Sequence, residues 1–265
     1  MGRKRRQVRL EDPERWVFNR MADVYDARPP YPAPLLDALC ELAASAGPRV
    51  LDVGAGIGHL ALPLAARGLQ VTAIDPAQDM LQRLRNACDA QQLSVDVRHA
   101  KAEALPFQAG AFDLVVIADA LHFIDSELCA RELQRVLVPR GALAVVSCEF
   151  ADTPFMRAIN DLVTQATGRR PRAIEPALRQ LFSISRVDLR HSQAFEDHTA
   201  LDLAALERLV RSVSFIGPAM NAQRFAAFRA TLATLAHAPV WARRIQLRAG
   251  RKRRSTGALA MTAAE

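Results

Sequence analysis

A chain of 265 residues, 50% hydrophobic and 24% charged, has the composition of a globular protein and the length to bury one large core, with or without an appended cap. Four scattered cysteines (Cys40, Cys88, Cys129 and Cys148), no Cys-x-x-Cys pair and no apolar stretch of membrane length argue against a disulfide scaffold, a structural metal site and a membrane span. The net charge of +7 sits at the ends: residues 1–9 hold five basic side chains and residues 240–254 hold seven, neither with an acid, and without those twelve the rest of the chain is at −5.

The basic start leads into Glu11-Asp12-Pro13-Glu14-Arg15 where an export signal would have its apolar region, so a cytoplasmic protein is expected. Residues 1–13 read as a basic tail. Residues 14–28 read as a short helix carrying Trp16, Phe18, Met21 and Tyr25, stopped by the prolines of Arg28-Pro29-Pro30-Tyr31-Pro32. A second helix, from Pro34 to about Ala46, places Leu35, Leu36, Leu39 and Leu42 on one face and stops at Gly47-Pro48.

From Arg49 to Cys148 strands and helices alternate. Runs rich in Val, Leu and Ile at 49–53, 70–75, 94–98, 112–118 and 141–148 lack surface alternation, as expected of strands buried on both faces of a parallel sheet. Helices are expected at 58–67, at 77–91 and at 126–138, the last opened by Asp125-Ser126. Beyond Phe150 the chain reads as irregular helix to about Ser185, a strand at 186–195, helices at 201–214 and 221–236, a closing strand from Val240 to Arg248 and a basic, disordered tail. The fold expected is α/β: a doubly wound, mostly parallel seven-stranded sheet with helices on both faces. The domain spans 14–250, with a cofactor core at about 47–150, a helical cap from 14–46 and 151–236, and a C-terminal tail at 251–265.

The most informative stretch is Asp52-Val53-Gly54-Ala55-Gly56-Ile57-Gly58-His59. A strand followed by three glycines in five residues lets the backbone approach a ligand closely, and the helix start beyond it favours a negative group. The dinucleotide fingerprint Gly-x-Gly-x-x-Gly would need glycine at position 59, where the chain has His59. A second acid, Asp75, ends the second strand and can accept both hydroxyls of a ribose lying beside the turn.

The loop resembles that of the class I, Rossmann-like S-adenosylmethionine-dependent methyltransferases. Ala100 to Phe107, Phe112 to Val116, Ala120-Leu121-His122-Phe123 and Glu132-Leu133 to Pro139 are similar to further segments of the type 11 branch, in order and at the expected spacing. Phe18, Tyr25, Arg28-Pro29 and Tyr31-Pro32 are similar to the leader of trans-aconitate-type and natural-product members. The resemblance implies S-adenosyl-L-methionine as cofactor. Gly54, Gly56 and Gly58 would hold its methionine end with Asp52, while Asp75 and Pro76 would meet the ribose. Ala118 and Asp119 would complete the methionine site, and Tyr25 and Arg28 would fold over it. Lys101 stands where members often carry Asp or Thr, so the adenine is expected on the backbone at Ala102 and Glu103.

His122, just past the fourth strand, is the candidate general base, against the simpler reading of a structural histidine. Trp16, Phe18, Phe150, Phe155, Met156, Phe182, Phe215, Met220, Phe225 and Phe228 are core residues or the lining of an acceptor pocket. The acceptor implied is a small molecule, a specialised metabolite of secondary metabolism or an anionic intermediate. RNA or protein methylation through the basic ends is the alternative, although no aromatics interleave with them for base stacking. More distant alternatives are a nucleotide-dependent oxidoreductase and an inactive cofactor-binding partner. Asp75→Ala is expected to abolish cofactor binding and leave the fold intact.

Overall fold

The computed structural model describes residues 18–253 apart from 20, 169–172 and 236–238. Trp16, the basic run at 1–9 and the tail from Arg254 lie outside the described residues. A seven-stranded sheet is built from β1 (Arg49–Val53), β2 (Gln70–Asp75), β3 (Val95–His99), β4 (Phe112–Ala118), β5 (Leu137–Phe150), β6 (Val187–Ala200) and β7 (Val240–Lys252). Their order is β3-β2-β1-β4-β5-β7-β6. The first five run parallel, and β7 lies antiparallel between β5 and β6.

Alternation along the central strands explains their unbroken apolar runs. Val50, Leu114, Val116, Ala142, Ala144 and Val146 pack on one face with Leu35 and Leu39 of α1 (Ala33–Ala44), Leu64 of α2 (Ala61–Ala65) and Leu84 of α3 (Gln78–Gln91). Leu51, Val53, Val115, Ile117, Leu143 and Val145 pack on the other with Leu133 of α4 (Ser126–Val136) and Leu181 of α6 (Glu175–Ile184). A third cluster forms the cap. It joins α5 (Pro154–Thr167), α7 (Leu203–Ser212) and α8 (Ala222–Leu235) to Trp241 and Ala242, at the end of the sheet where the parallel strands finish. Among the described residues no helix is long and apolar enough to cross a membrane.

Several elements differ from expectation: β3 at the sheet edge has no buried residue, β6 runs on to Ala200, and β5 begins at Leu137, inside the helix expected to 138. The helix expected over 58–67 is confined to α2, because Gly54, Gly56 and Gly58 all hold positive φ and the turn continues through them. The leader is a 3-10 turn, Ala22–Ala27, with helical residues at Phe18, Asn19 and Met21. Its course is set by side chains that turn inward.

The closing strand runs on to Lys252, four residues past Arg248, and most of its basic side chains are bound within the fold, while Arg244 is exposed. Lys252 donates to the carbonyls of Gln134 and Leu137 at the C-terminal end of α4, and Arg251 to that of Leu42 in the last turn of α1. Cations belong at such ends, where helix carbonyls lack partners. The C-terminal half of the charge excess is therefore largely structural down to Arg253, which pairs with Asp188. Arg140, the fourth residue of β5, holds φ +67°.

Gly250 lies against a register shift in β6 between Leu189 and His191. A Cβ there would stand 2.0 Å from the Asp188 carbonyl oxygen. Since backbone cannot swing aside as a side chain does, Gly250→Ala is expected to cost roughly 2 kcal/mol and lower Tm by about 5 °C, measurable by calorimetric melting.

Candidate active site

β1 lies between β2 on one side and β4 on the other, so the crossovers diverge at its carboxyl end and leave a crevice there. The glycine turn occupies it. Gly54 and Ala55 donate to the Ile74 carbonyl at 2.9 and 3.0 Å, and Gly56 N–H donates to Asp75 Oδ2 at 2.9 Å. The glycines answer different needs. A Cβ on Gly54 would come 2.6 Å from Ala120 Cβ, and one on Gly58 2.3 Å from Leu84 of α3, whereas at Gly56 the constraint is the positive φ.

Above the turn lies a cavity of about 900 Å³. Its lining includes Asp52, Gly54, Ala118 and Asp119 from the strand ends, Tyr25, Arg28 and Tyr31 from the leader, His59 after the turn, and His122. Asp52 is 2% exposed, and its Oδ2 has no hydrogen-bond partner. Burial and the nearby Asp75 carboxylate push its carboxyl up to about 7, against the Ala61 N–H that favours the charged form. Arg28 stacks over the Tyr25 ring at 4.1 Å and donates to Tyr25 Oη and to the Ser212 carbonyl of α7. Its Nε is buried without a partner.

Asp119 holds φ +50°, uncommon for a residue with a Cβ. Its carboxylate accepts from Tyr31 Oη at 3.0 Å and from Cys148 N–H at 2.7 Å. Burial, and next the Asp119 charge, push the Tyr31 phenol and the Cys148 thiol upward, so both stay protonated. His59 stacks on Tyr25 with ring planes 18° apart. Burial, then Arg28 and Arg243, hold its pKa at about 4, leaving a neutral imidazole at neutral pH. The His122 ring lies 3.9 Å from that of Phe123, in the 3-10 turn Leu121–Phe123.

Of the residues expected at the site, Tyr25, Arg28, Asp52, Gly54, Ala118, Asp119 and His122 line this cavity. Gly56, Gly58, Asp75, Pro76, Ala102 and Glu103 are not among its lining. Asp75 is 9% exposed and accepts from the N–H groups of Gly56 and Ala77, so its carboxylate ties the glycine turn to the start of α3. That tie revises the expectation that Asp75→Ala leaves the fold intact. Pro76 is exposed, Ala102 is buried in the core below the sheet, and Glu103 accepts from Asp125 N–H. Of the aromatics and methionines considered, Phe18, Phe150, Met156 and Phe215 line the cavity, while Phe182 packs beneath the sheet and Met220, Phe225 and Phe228 fill the cap core.

Tyr31, His59 and Arg243 were not singled out for the site. Arg243 is 8% exposed; it pairs with Asp197 and donates to the carbonyls of Pro29 and Pro30, fastening the leader over the cavity. Its one sequence signal is a charged pair, Arg243-Arg244, set between the apolar residues Trp241-Ala242 and Ile245.

A family model described as a methyltransferase domain matches residues 51–145. An uncharacterized methyltransferase of Mycobacterium tuberculosis (strain ATCC 25618 / H37Rv) is 40% identical over 130 residues, 49% of this chain and 51% of that one. The demethylmenaquinone methyltransferase of Thermus thermophilus is 43% identical over 118 residues, 43% of this chain and 53% of that one. The chain thus spans about half the length of these relatives. The structure of a putative type II methyltransferase from Anaeromyxobacter dehalogenans has the same fold, with TM-score 0.62 at 22% identity over 84% of this chain and 97% of that one.

Proposed function

We propose that this chain is a class I, Rossmann-like methyltransferase and transfers a methyl group from S-adenosylmethionine to a small-molecule acceptor held beneath the cap. The observation that carries the cofactor is a pair of buried atoms without partners, Asp52 Oδ2 and Arg28 Nε, of opposite charge on one cavity. The methionine end of the cofactor is a zwitterion, and its ammonium and carboxylate fit that pair. A dinucleotide would instead bring a pyrophosphate onto the turn, for which buried Asp52 and the histidine at position 59 are unsuited.

Asp75 would take the ribose, since a carboxylate with two backbone N–H groups on it still has lone pairs for hydroxyls. Pro76, Ala102 and Glu103 would border the adenine. The glycines would let the backbone come close to the ligand.

When bound, the cofactor supplies a methyl group on a sulfonium, an electrophile that needs no metal. The chain's own contribution is placement and the exclusion of water. Tyr25, Arg28 and Tyr31 cover the turn, anchored by Arg28 on Ser212 and by Arg243 on the Pro29 and Pro30 carbonyls. Asp119, fixed by Tyr31 and Cys148, holds the end of β4 open to the methionine group. His122 would take the proton of an acceptor hydroxyl or amine, and an acceptor that is already nucleophilic needs no base. RNA as acceptor is disfavoured at the C-terminal end, where Arg243, Arg251, Lys252 and Arg253 are bound to the protein's own groups; the basic run at 1–9 lies outside the described residues.

Isothermal titration with S-adenosylmethionine, S-adenosylhomocysteine and NADH tests this reading. Binding of the first two in the micromolar range and none of the third is expected; binding of NADH alone would overturn it.

A further inference from the structure

We infer that the acceptor arm of the cavity takes an apolar, ring-bearing molecule with no anionic group. This rests on the methyltransferase reading and refines its acceptor. It also sets aside the expectation of an anionic intermediate.

The wall is aromatic. The Phe150 ring meets Trp241 edge-on at 5.3 Å and Phe215 at 6.3 Å, and all three line the cavity. Trp241 is held in the cap core at 4% exposure, whereas Phe150 and Phe215 are only half-buried and offer ring surface to the space. Met156, Val163, Leu209 and Val213, buried in the same core, continue the lining. A volume of about 900 Å³ lies near the top of the range for ligand sites and accommodates a ring system beside a cofactor.

The charges exclude anions. Three guanidinium groups reach the lining; Arg28 and Arg243 are engaged by several of the protein's own groups, and Arg157 through one amino group in an exposed ion pair. Arg243 is taken by Asp197, Pro29 and Pro30, and Arg157 by Asp152. The two amino groups of Arg28 go to Tyr25 and Ser212, and its remaining Nε is the atom that suits the cofactor carboxylate. Against these stand carboxylates. Asp119 is held by Tyr31 and Cys148, and Glu175 pairs with Arg248. Glu149 and Asp161, both exposed, have no ion-pair partner among the described residues. A carboxylate or phosphate entering this arm would lose its water and face Glu149 and Asp161, with each lining guanidinium already engaged by the protein's own groups.

A matched pair of fluorescent probes tests the assignment. N-phenyl-1-naphthylamine and 1-anilinonaphthalene-8-sulfonate share one ring body and differ in a single anionic group. With S-adenosylhomocysteine at saturation, the neutral probe is expected to bind about tenfold or more tightly than the sulfonate. Phe150→Ala and Phe215→Ala should each weaken the neutral probe several-fold while S-adenosylhomocysteine still binds, which verifies that the variants are folded. The double variant Glu149→Lys, Asp161→Lys should narrow the gap by strengthening the sulfonate. Equal or tighter binding of the sulfonate by the unaltered protein overturns the inference, as does neutral-probe binding indifferent to both phenylalanine changes. Neither outcome touches the methyltransferase reading, which fails separately if S-adenosylhomocysteine itself does not bind.

Discussion

Asp52→Asn is expected to stabilise the ligand-free protein by roughly 3 kcal/mol at pH 8 and to weaken S-adenosylmethionine binding on the order of 100-fold. Both effects have one origin. The Asp52 carboxyl is 2% exposed, and burial and Asp75 raise it from an ordinary 3.8 to about 7. Its protonated form is favoured in the fold. The stability this contributes is fully present below the unfolded value and is lost as pH rises through the folded one.

At pH 8 the unaltered protein therefore carries a buried charge whose Oδ2 accepts no hydrogen bond, and asparagine removes that cost. The Ala61 N–H contact can be kept by the amide oxygen. The gain should shrink as pH falls and vanish near about pH 4, a trend that thermal melts at several pH values would reveal. Placing an ammonium against Asp52 draws its pKa back down, so binding near pH 7 should release a proton, seen as a binding enthalpy that varies with the ionisation enthalpy of the buffer. An Asn variant no more stable than the parent at pH 8, with undiminished affinity, would rule out this role.

Asp75→Ala is expected to cost about 3 kcal/mol of stability and to remove measurable cofactor binding. The carboxylate receives the Gly56 and Ala77 N–H groups at 2.9 and 2.8 Å, and alanine leaves both donors buried without their acceptor. Part of the cost is offset, because removing Asp75 also relieves the repulsion that raises Asp52. Asp75→Asn keeps one acceptor oxygen and the side-chain volume. It should regain about half of the lost stability without restoring a carboxylate for two ribose hydroxyls. Melting temperature and titration with S-adenosylhomocysteine, measured on both variants, separate the two roles. Unchanged melting would dismiss the structural tie, and unchanged affinity would dismiss the ribose contact.

Much of the fold was legible because its signals are local. The strands at Arg49–Val53, Gln70–Asp75 and Phe112–Ala118 fall where the apolar runs place them, since burial on both faces demands unbroken Val, Leu and Ile. The helix Ser126–Val136 announces itself by Asp125, whose carboxylate does cap it. The turn was legible for the same reason: three glycines that adopt positive φ are visible as glycines.

What was not legible depends on partners distant in the chain. The basic C-terminal stretch looks like a solvated tail until Lys252 is seen on the carbonyls ending α4 and Arg251 on that of Leu42. Tyr31 reads as a residue between prolines until its hydroxyl meets Asp119, 88 positions away.

Composition and spacing alone thus specified an α/β sheet with a glycine turn at its switch point, because period, turn chemistry and the Asp52 to Asp75 interval are properties of neighbours along the chain. Only the tertiary structure decided that Asp52 and Arg28 share one cavity as unpartnered opposite charges. It also decided that Asp75 serves the turn itself, and that Phe150, Phe215 and Trp241 meet on one wall of the cavity. Those properties arise from burial and from which side chains use up one another's hydrogen bonds, and both are set by contacts between segments far apart in sequence.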